Sequence, residues 1–270
     1  MGKIIYEARN KAAEYGKYAF SAYHSCSNGC TYCYLRKGVF AKTMGGDLPK
    51  LKACFEDENH ALKVFEKELV RNIYELQKHG LFFSFTTDPM LPKTDLLTRA
   101  AIDLCVEHRV FVKVLTKRAE TPIRCSIVLF DGWKKYVAFG FTLTGHDELE
   151  PHASTNAERI EAMRKLHEAG FKTWASIEPV IDIKSSVEMI EQTYEFCNLY
   201  KIGIESGKKY DKKDLQLFIG YVTTDLDVPF PHVRKGNKFY FKDSLLAQAG
   251  ISRSELPDNC VSNDYDMFNS

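Results

Sequence analysis

Regular alternation of β-rich runs and helical patterns is the feature that most constrains the fold of this chain. Short apolar runs suited to buried strands alternate about six times with longer segments whose apolar residues recur at helical spacing. Parallel strands joined by crossover helices are the simplest packing for that order. The pattern predicts an α/β domain but leaves open whether the sheet is doubly wound or rolled into a barrel, since six units are few for a complete eightfold barrel.

The predicted elements follow from the spacing of apolar residues and from capping signals. One helix begins near Ser154 or Thr155, where Glu158 can complete a capping box, and ends at Gly170. The predicted strands are Tyr18–Tyr23, Leu81–Phe85, Val110–Leu115, Val137–Leu143, Thr173–Ile177 and Leu199–Ile204, and the other helices are Ala61–Gln77, Asp95–His108 and Ser185–Phe196, with Pro122–Phe130 ambiguous.

The pattern changes after about residue 220, where proline-rich sequence interrupts it. We therefore predict one large domain over residues 1–220 and a C-terminal extension or lid over residues 221–270. Within the extension, a strand is predicted at Phe239–Lys242 and a short helix at Asp243–Gln248.

Charge and hydropathy exclude some classes of protein. The 37 basic and 36 acidic residues give a net charge of +1, which offers no general argument for nucleic acid or an anionic membrane. No apolar stretch is long enough to span a bilayer, and the N-terminus lacks the apolar core of a signal peptide. We expect a cytoplasmic protein with no membrane partner.

Three of the eight cysteines lie close together, at Cys26, Cys30 and Cys33. A disulfide framework is typical of small secreted domains, so clustered cysteines in this chain indicate a metal site instead. Thiolates suit iron–sulfur clusters or zinc, and Gly29 allows a tight loop around either. Three thiolates leave one coordination position open, and His24 is an adjacent candidate for completing a zinc site.

This cysteine spacing, in a loop after the first strand and with an aromatic residue before the third cysteine, resembles that of the radical S-adenosylmethionine superfamily. The resemblance implies a partial (β/α)6 TIM-type barrel with a C-terminal extension. It implies that Cys26, Cys30 and Cys33 hold three irons of a 4Fe–4S cluster, whose fourth iron binds S-adenosylmethionine. One electron, delivered by a flavodoxin- or ferredoxin-like donor, would then yield a 5′-deoxyadenosyl radical that abstracts hydrogen from a substrate.

Further segments resemble the spore photoproduct lyase group of that superfamily. They place polar residues at the carboxyl ends of successive strands, where active sites of barrel enzymes lie. These segments are Phe85-Thr86-Thr87-Asp88-Pro89, Leu115-Thr116-Lys117, Gly140–Thr144, Asn156–Ile160 and Glu178-Pro179.

The resemblance implies roles for five of these residues, each with a structural alternative. The Thr87–Asp88 turn would present backbone carbonyls or the Asp88 carboxylate to the ammonium of S-adenosylmethionine, unless it is a plain Asp-Pro turn. Lys117 would meet a carboxylate or the ribose, or be a solvated lysine. Thr142 would bond the ribose or the carboxylate, or be an ordinary strand residue. Arg159 would fork onto the carboxylate, or be a surface arginine.

Residues next to the cluster and the pocket bear on the reaction. Glu178 would line the pocket, or belong to a plain loop. Tyr32 and Tyr34 match two tyrosines of the lyases, one of which relays a hydrogen atom or packs near the adenine; plain packing is the alternative for Tyr32. The lyases carry a hydrogen-donating cysteine three residues before the aspartate of the turn, where this chain has Phe85. Reversal of a thymine dimer is therefore not carried over to this chain.

The C-terminal segment mixes basic and aromatic residues around Arg234, Lys235 and Lys238. Such residues can meet phosphates and stack on bases, and the alternative is an edge strand with solvated lysines. The predicted function is radical chemistry on an unidentified substrate, with a nucleic-acid base or nucleotide as the leading hypothesis. Modification of a peptide or partner protein and a non-enzymatic zinc module are the alternatives.

Overall fold

The computed structural model describes residues 3–128, 131–223 and 236–269. Its strands are β1 (Ile5–Glu7), β2 (Tyr18–Phe20), β3 (Tyr23–His24), β4 (Lys50–Leu51), β5 (Leu81–Phe83), β6 (Val112–Thr116), β7 (Val137–Thr142), β8 (Lys172–Val180), β9 (Leu199–Ile204) and β10 (Lys238–Phe241). Its helices are α1 (Phe40–Met44), α2 (Glu58–Arg71), α3 (Ile73–His79), α4 (Asp95–Glu107), α5 (Glu120–Val128), α6 (Asp131–Tyr136), α7 (Asn156–Glu168), α8 (Ile183–Glu191), α9 (Lys212–Thr223) and α10 (Asp243–Ala249).

Eight strands form one sheet in the order β1-β2-β5-β6-β7-β8-β9-β10. Strand β1 is antiparallel to β2, and every later pairing in the sheet is parallel. A doubly wound sheet reverses its strand order at a switch point. Here the order of the parallel strands follows the chain, so the crossover helices lie on one face and the sheet curls into a partial barrel. This confirms the predicted fold class.

Six strand–helix units run from β2 to α9, as predicted, and β10 adds a seventh parallel strand. The predicted helix Ala61–Gln77 is observed as α2 and α3, divided at Asn72. The ambiguous segment Pro122–Phe130 contributes to α5 over its described residues. The capping box at the start of α7 is confirmed, with Thr155 as the cap and Glu158 as its partner.

The inner face of the barrel is packed with side chains from several strands. Gly140 on β7 leaves room for the indole of Trp174 on β8, because a Cβ atom at Gly140 would lie 2.1 Å from Trp174 Cε2. The main members of this inner cluster are Tyr15, Ala19, Phe82, Ala138, Trp174, Leu199, Tyr240 and Met267.

The described part of the C-terminal segment adds a strand to the main sheet and a side chain to the inner cluster. Strand β10 pairs in parallel with β9, and Met267 is buried in the inner cluster. The ring of Phe268 stacks on Phe111 with 4.5 Å between the centroids. The predicted boundary at residue 220 falls inside α9. Arg234 and Lys235 lie outside the described residues. Among the described residues, no helix is long and apolar enough to cross a membrane.

Candidate cofactor site at the carboxyl end of the sheet

The three clustered cysteines lie in the loop after β3, and none of them forms a disulfide. Cys30 is buried, while Cys26 and Cys33 are half-buried. The backbone N–H of Cys26 donates to Gly46 O over 3.3 Å, and that of Cys33 donates to Cys30 O over 3.3 Å. Hydrogen bonds thus hold the backbone of the loop, and backbone groups of Asn28 and Asp88 hydrogen-bond to the Cys26 thiol. We call residues 25–33 the cysteine loop.

A second loop, residues 143–155 after β7, is packed against the cysteine loop. Thr31 N donates to Leu149 O over 3.0 Å, and His152 N donates to Asn28 O over 3.2 Å. Gly29 has a φ of +72°, and a Cβ atom there would lie 2.9 Å from the imidazole of His152. Glycine is therefore required at this position by both conformation and close approach.

Asp88 ties the cysteine loop to two strand ends. Its Oδ1 accepts from Met90 N at 2.9 Å and Thr116 Oγ1 at 2.6 Å. Its Oδ2 accepts from Asn28 Nδ2 and Lys117 N, both at 2.8 Å. A carboxylate has about four acceptor positions, and the protein fills four. Two groups at this turn were predicted to meet the ligand ammonium. The Asp88 carboxylate is occupied by hydrogen bonds within the protein, so the backbone carbonyls are the remaining candidates.

Glu150, in the second loop, is a central residue of the site that the sequence did not reveal. Its buried carboxylate accepts a hydrogen bond from the Tyr32 hydroxyl and pairs with the Arg159 guanidinium. The Nζ atom of Lys117 lies 3.2 Å from Glu150 Oε1 and 5.4 Å from the centre of the Tyr32 ring. One carboxylate therefore joins the cysteine loop, β6 and α7.

The charges in this cluster reinforce one another. Burial alone would raise the pKa of Glu150, but Lys117 and Arg159 outweigh it and lower that pKa to about 2. Burial would likewise lower the pKa of Lys117, yet Tyr32 and Glu150 raise it above its usual value. Lys117 and Glu150 are therefore both charged at neutral pH. Asp147 Oδ1 also lies 3.6 Å from Arg159 Nη2, so the cations Lys117 and Arg159 face two carboxylates beside the cysteine loop.

Arg159 is buried, so the alternative of a surface arginine is wrong. Its Nη1 donates to Thr142 O over 2.6 Å, its Nε donates to Thr155 O over 3.3 Å, and its Nη2 donates to Glu150. The guanidinium is thus committed to the protein, which speaks against the predicted fork onto a ligand carboxylate. Thr142 is buried at the end of β7 and binds Arg159 through its backbone.

Two buried polar atoms at this junction have no hydrogen-bond partner among the described residues: Thr87 Oγ1 and Asn28 Oδ1. Buried polar atoms are rarely left unpaired, so each is available to a ligand or to water. The ammonium of Lys117 has three donors, and its side chain keeps 14% of its surface exposed. The solvated alternative for Lys117 is wrong, and the residue sits where a carboxylate can reach it.

Phe85 lies on the inner face of the barrel. It stands at the sequence position where the resemblance implied a hydrogen-donating cysteine. Its ring stacks on Phe82 with centroids 4.3 Å apart and meets the ring of Tyr15 edge-on at 6.1 Å. The hydroxyl of Tyr34 donates to Phe85 O over 2.6 Å. No cysteine belongs to the inner cluster in the described part of the chain.

Glu178 lies near the carboxyl end of β8, in a buried polar cluster. It accepts from the Tyr15 hydroxyl and pairs with Lys242 Nζ at 2.8 Å. Gly203 makes space for this pair, since a Cβ atom there would lie 2.7 Å from Lys242 Cδ and 2.9 Å from Glu178 Cδ. The side chain of Glu178 remains 22% exposed, so it can line a pocket, and the plain-loop alternative is wrong.

Burial favours the neutral thiol at Cys26 and Cys30. Burial, reinforced by Asp88, raises the pKa of Cys26 to about 12. Burial also raises the pKa of Cys30, although Lys117 opposes the shift. In the described residues, no three His, Cys, Asp or Glu side chains converge as ligands of a single metal ion. Cysteines that hold a cubane cluster bind different irons, so a cluster does not require such convergence.

No family model matches the chain. An uncharacterized protein of Methanocaldococcus jannaschii is 28% identical over 200 residues, which are 68% of each chain. A spore photoproduct lyase variant with bound AdoMet and dinucleoside spore photoproduct aligns with a TM-score of 0.55 and 17% identity. SuiB of Streptococcus suis, bound to S-adenosylmethionine, aligns with a TM-score of 0.52 and 14% identity. The fold of this chain thus resembles the folds of spore photoproduct lyase and SuiB.

The alignments cover most of this chain but less than two thirds of each neighbour. They include 79% and 83% of this chain, against 63% of the lyase and 51% of SuiB. At this level of identity the comparison establishes the shared fold. The chemistry at the carboxyl end of the sheet would suit a metal–sulfur cluster and a small ligand that carries an ammonium and a carboxylate. It offers three free thiols in one loop, unpaired polar atoms at Thr87 and Asn28, and one cation with spare donors.

Proposed function

We propose that this protein is a radical S-adenosylmethionine enzyme that holds a 4Fe–4S cluster with Cys26, Cys30 and Cys33. The observation that carries the proposal is the docking of the cysteine loop onto Asp88 and Glu150 at the carboxyl ends of the strands. This arrangement presents three thiols to the same edge of the sheet as Lys117 and Thr87. When bound, the cluster would supply one electron that cleaves S-adenosylmethionine to a 5′-deoxyadenosyl radical.

The chain's own groups divide the binding work. Lys117 would hold the carboxylate of S-adenosylmethionine, because its side chain keeps 14% of its surface exposed while that of Arg159 is fully buried. Thr87 Oγ1, Asn28 Oδ1 and the backbone carbonyls of the turn would accept from the ammonium. Thr142, at the end of β7, would border the ribose. Asp88, Glu150 and Arg159 would position these groups without touching the ligand.

The substrate would be a nucleic-acid base or nucleotide that enters beside Phe85, Tyr34 and Glu178. Aromatic rings provide stacking surfaces that every base can use, and a partly exposed carboxylate can accept from ring or exocyclic N–H groups. Tyr32 is hydrogen-bonded to Glu150, so we assign it to positioning. Tyr34 is half exposed at the same edge, so we assign it to contact with the substrate. A flavodoxin- or ferredoxin-like protein would deliver the electron.

The test is anaerobic reconstitution with iron and sulfide, followed by reduction with dithionite in the presence of S-adenosylmethionine. The proposal predicts about four irons per chain, a brown protein and formation of 5′-deoxyadenosine. Cys30→Ser and Cys33→Ser should abolish both iron retention and cleavage. Cys105→Ala, which changes a buried cysteine on α4, is the matched control and should retain both.

Three outcomes would contradict the proposal. A colourless protein that holds one zinc per chain would assign the loop to a zinc module. A cluster-loaded protein that produces no 5′-deoxyadenosine under reduction would remove the radical chemistry. Retention of iron after both serine substitutions would show that other residues hold the metal.

A further inference from the structure

A basic surface with exposed aromatic rings borders the cysteine loop, and neither the cofactor nor the electron supply accounts for it. Segment 36–52 carries five basic residues and one acidic residue, in a chain whose net charge is +1. Tyr34 is 50% exposed and Phe40 49% exposed, with their rings edge to face at 6.3 Å. Large exposed apolar groups beside a functional site commonly mark an interaction surface.

An ion pair from this segment and a hydrogen bond from Lys11 reach the residues that follow β9. Lys37 Nζ lies 3.0 Å from Glu205 Oε1, and Lys11 Nζ donates to Ser206 Oγ over 3.0 Å. Lys208 Nζ donates to Ile181 O over 2.8 Å. The lysines therefore lie along one side of the barrel mouth. We call this surface, made of Lys11, Lys37, Lys208, Lys209, Tyr34 and Phe40, the basic rim.

The lysines of the basic rim retain binding capacity. An ammonium has three donors, and the described contacts use one donor each on Lys11, Lys37 and Lys208. Glu205 neutralises only part of their charge. Acidic residues also border this mouth, since Asp182 follows Ile181, whose carbonyl Lys208 contacts, and both Asp182 and Glu148 contact His146.

We propose that the basic rim binds a single-stranded nucleic acid or a locally opened duplex strand. Phosphates would lie on Lys11, Lys37, Lys208 and Lys209, and a base next to the reacting one would stack on Phe40 and Tyr34. An acidic protein would use the charges but has no need of an edge-to-face aromatic pair, so the rings favour nucleic acid. This inference rests on the proposed function only where it treats the bound strand as the substrate. Binding of the strand itself does not require the cofactor.

The experiment measures binding of a fluorescein-labelled single strand of about 12 nucleotides, within the span of single-strand binding folds. Anisotropy is recorded from about 50 mM to about 200 mM salt. The variant Lys37→Ala/Lys208→Ala/Lys209→Ala should weaken binding at least about tenfold at the lower salt. It should reduce the slope of log K against log salt by about 2, since each phosphate contact on a single strand contributes about 0.7. Phe40→Ala should weaken binding about tenfold with an unchanged slope.

A matched control changes three exposed lysines on the outer helices α2 and α3, as Lys63→Ala/Lys67→Ala/Lys78→Ala. The control should leave both affinity and slope unchanged. Equal losses in the control and the rim variant would reduce the effect to net charge and overturn the proposal. So would a wild-type protein that does not bind the strand at the lower salt. Competition by polyglutamate as strong as by unlabelled strand would assign the rim to an acidic protein instead.

The same preparations separate this inference from the proposed function. Cleavage of S-adenosylmethionine without strand binding would defeat only the basic rim. Binding without cleavage in the reconstituted protein would defeat only the radical chemistry. Unchanged melting temperatures of the two triple variants would show that all of the exposed substitutions leave the fold intact.

Discussion

The Nδ2 group of Asn28 donates to Asp88 Oδ2 over 2.8 Å, and this hydrogen bond joins the cysteine loop to the end of β5. The same carboxylate accepts from Thr116 on β6 and from the backbone of Lys117. Asn28 and Asp88 are both buried. The position of the thiols relative to the strand ends thus depends on one buried carboxylate.

Asp88→Ala should lower the free energy of unfolding by about 3 kcal/mol or more, because it leaves several buried donors unpaired at about 1–3 kcal/mol each. Asn28→Ala should cost less. A double-mutant cycle measured by urea unfolding should give a coupling of about 0.5–3 kcal/mol between the two residues. Asp47→Ala, at an exposed ion pair with Arg36, is the control and should cost about 1 kcal/mol or less. Strictly additive losses would show that the two side chains do not act together.

Glu150→Gln should destabilise the protein by about 3–5 kcal/mol, because it leaves Lys117 and Arg159 without their shared buried counter-charge. The exposed neighbour offers a comparison, since Glu148→Gln should change the free energy of unfolding far less. Chemical unfolding of both variants at neutral pH checks the prediction. A loss for Glu150→Gln no larger than that for Glu148→Gln would mean that the cluster is not stabilising.

Local pattern predicted the parts of this site that depend on neighbouring residues. The cysteine spacing, the strand ends at Lys117 and Thr142 and the capping box at Thr155 are all readable within short windows. Glu150 is different, because its loop has no periodicity and its contact with Tyr32 spans 118 positions. The role of Glu150 is determined by its distant partner Tyr32 and not by any signal in the neighbouring sequence. One helpful sign was present: an acidic residue in a loop that follows a strand of the predicted barrel.

The C-terminal region shows the same limit for the fold. The sequence predicted a strand near Phe239, but whether it joined the main sheet or formed a separate lid depended on pairing with β9. The alternation of apolar residues reports that a strand has a buried face and does not identify the partner. The burial of Met267 inside the barrel likewise depends on tertiary contacts alone.

Gly140→Ala should be strongly destabilising, because the added Cβ would meet the Trp174 indole at 2.1 Å within the packed inner face. Overpacking of this kind typically costs about 1–3 kcal/mol or more. Gly220→Ala lies within α9, where no described heavy atom is within 4 Å of the added Cβ, and should stabilise the helix by up to about 1 kcal/mol. Thermal unfolding of the two variants should therefore shift in opposite directions. A neutral Gly140→Ala would contradict the observed packing of Trp174.

The contact of His146 with Asp182 should make stability depend on pH. Burial alone would lower the pKa of His146, but hydrogen bonds with Glu148 and Asp182 raise it above its usual value. Its contribution is therefore fully present below about pH 6.5 and is lost as pH rises through the raised pKa. The pKa values of Glu148 and Asp182 are lowered, so their contribution is lost as pH falls well below about 4.

Comparison of the wild type with His146→Gln by urea unfolding checks this sign. The difference in unfolding free energy should be largest between about pH 5 and about pH 6 and should shrink toward pH 9. His108→Gln, at the end of α4, serves as the control. A difference that grows with rising pH would reverse the assignment of the charged imidazole.

Lys117→Met should weaken binding of S-adenosylmethionine to the cluster-loaded protein by about 10- to 100-fold, the loss expected for one charge-assisted hydrogen bond. The substitution keeps the apolar stem and removes the ammonium that lies 3.2 Å from Glu150. Decarboxylated S-adenosylmethionine lacks the group that Lys117 would hold, so its affinity should be nearly the same in both proteins. Equilibrium dialysis with both compounds measures this difference, with Lys63→Met as the control. If both compounds lose affinity equally, Lys117 supports the fold of the site and does not recognise the carboxylate.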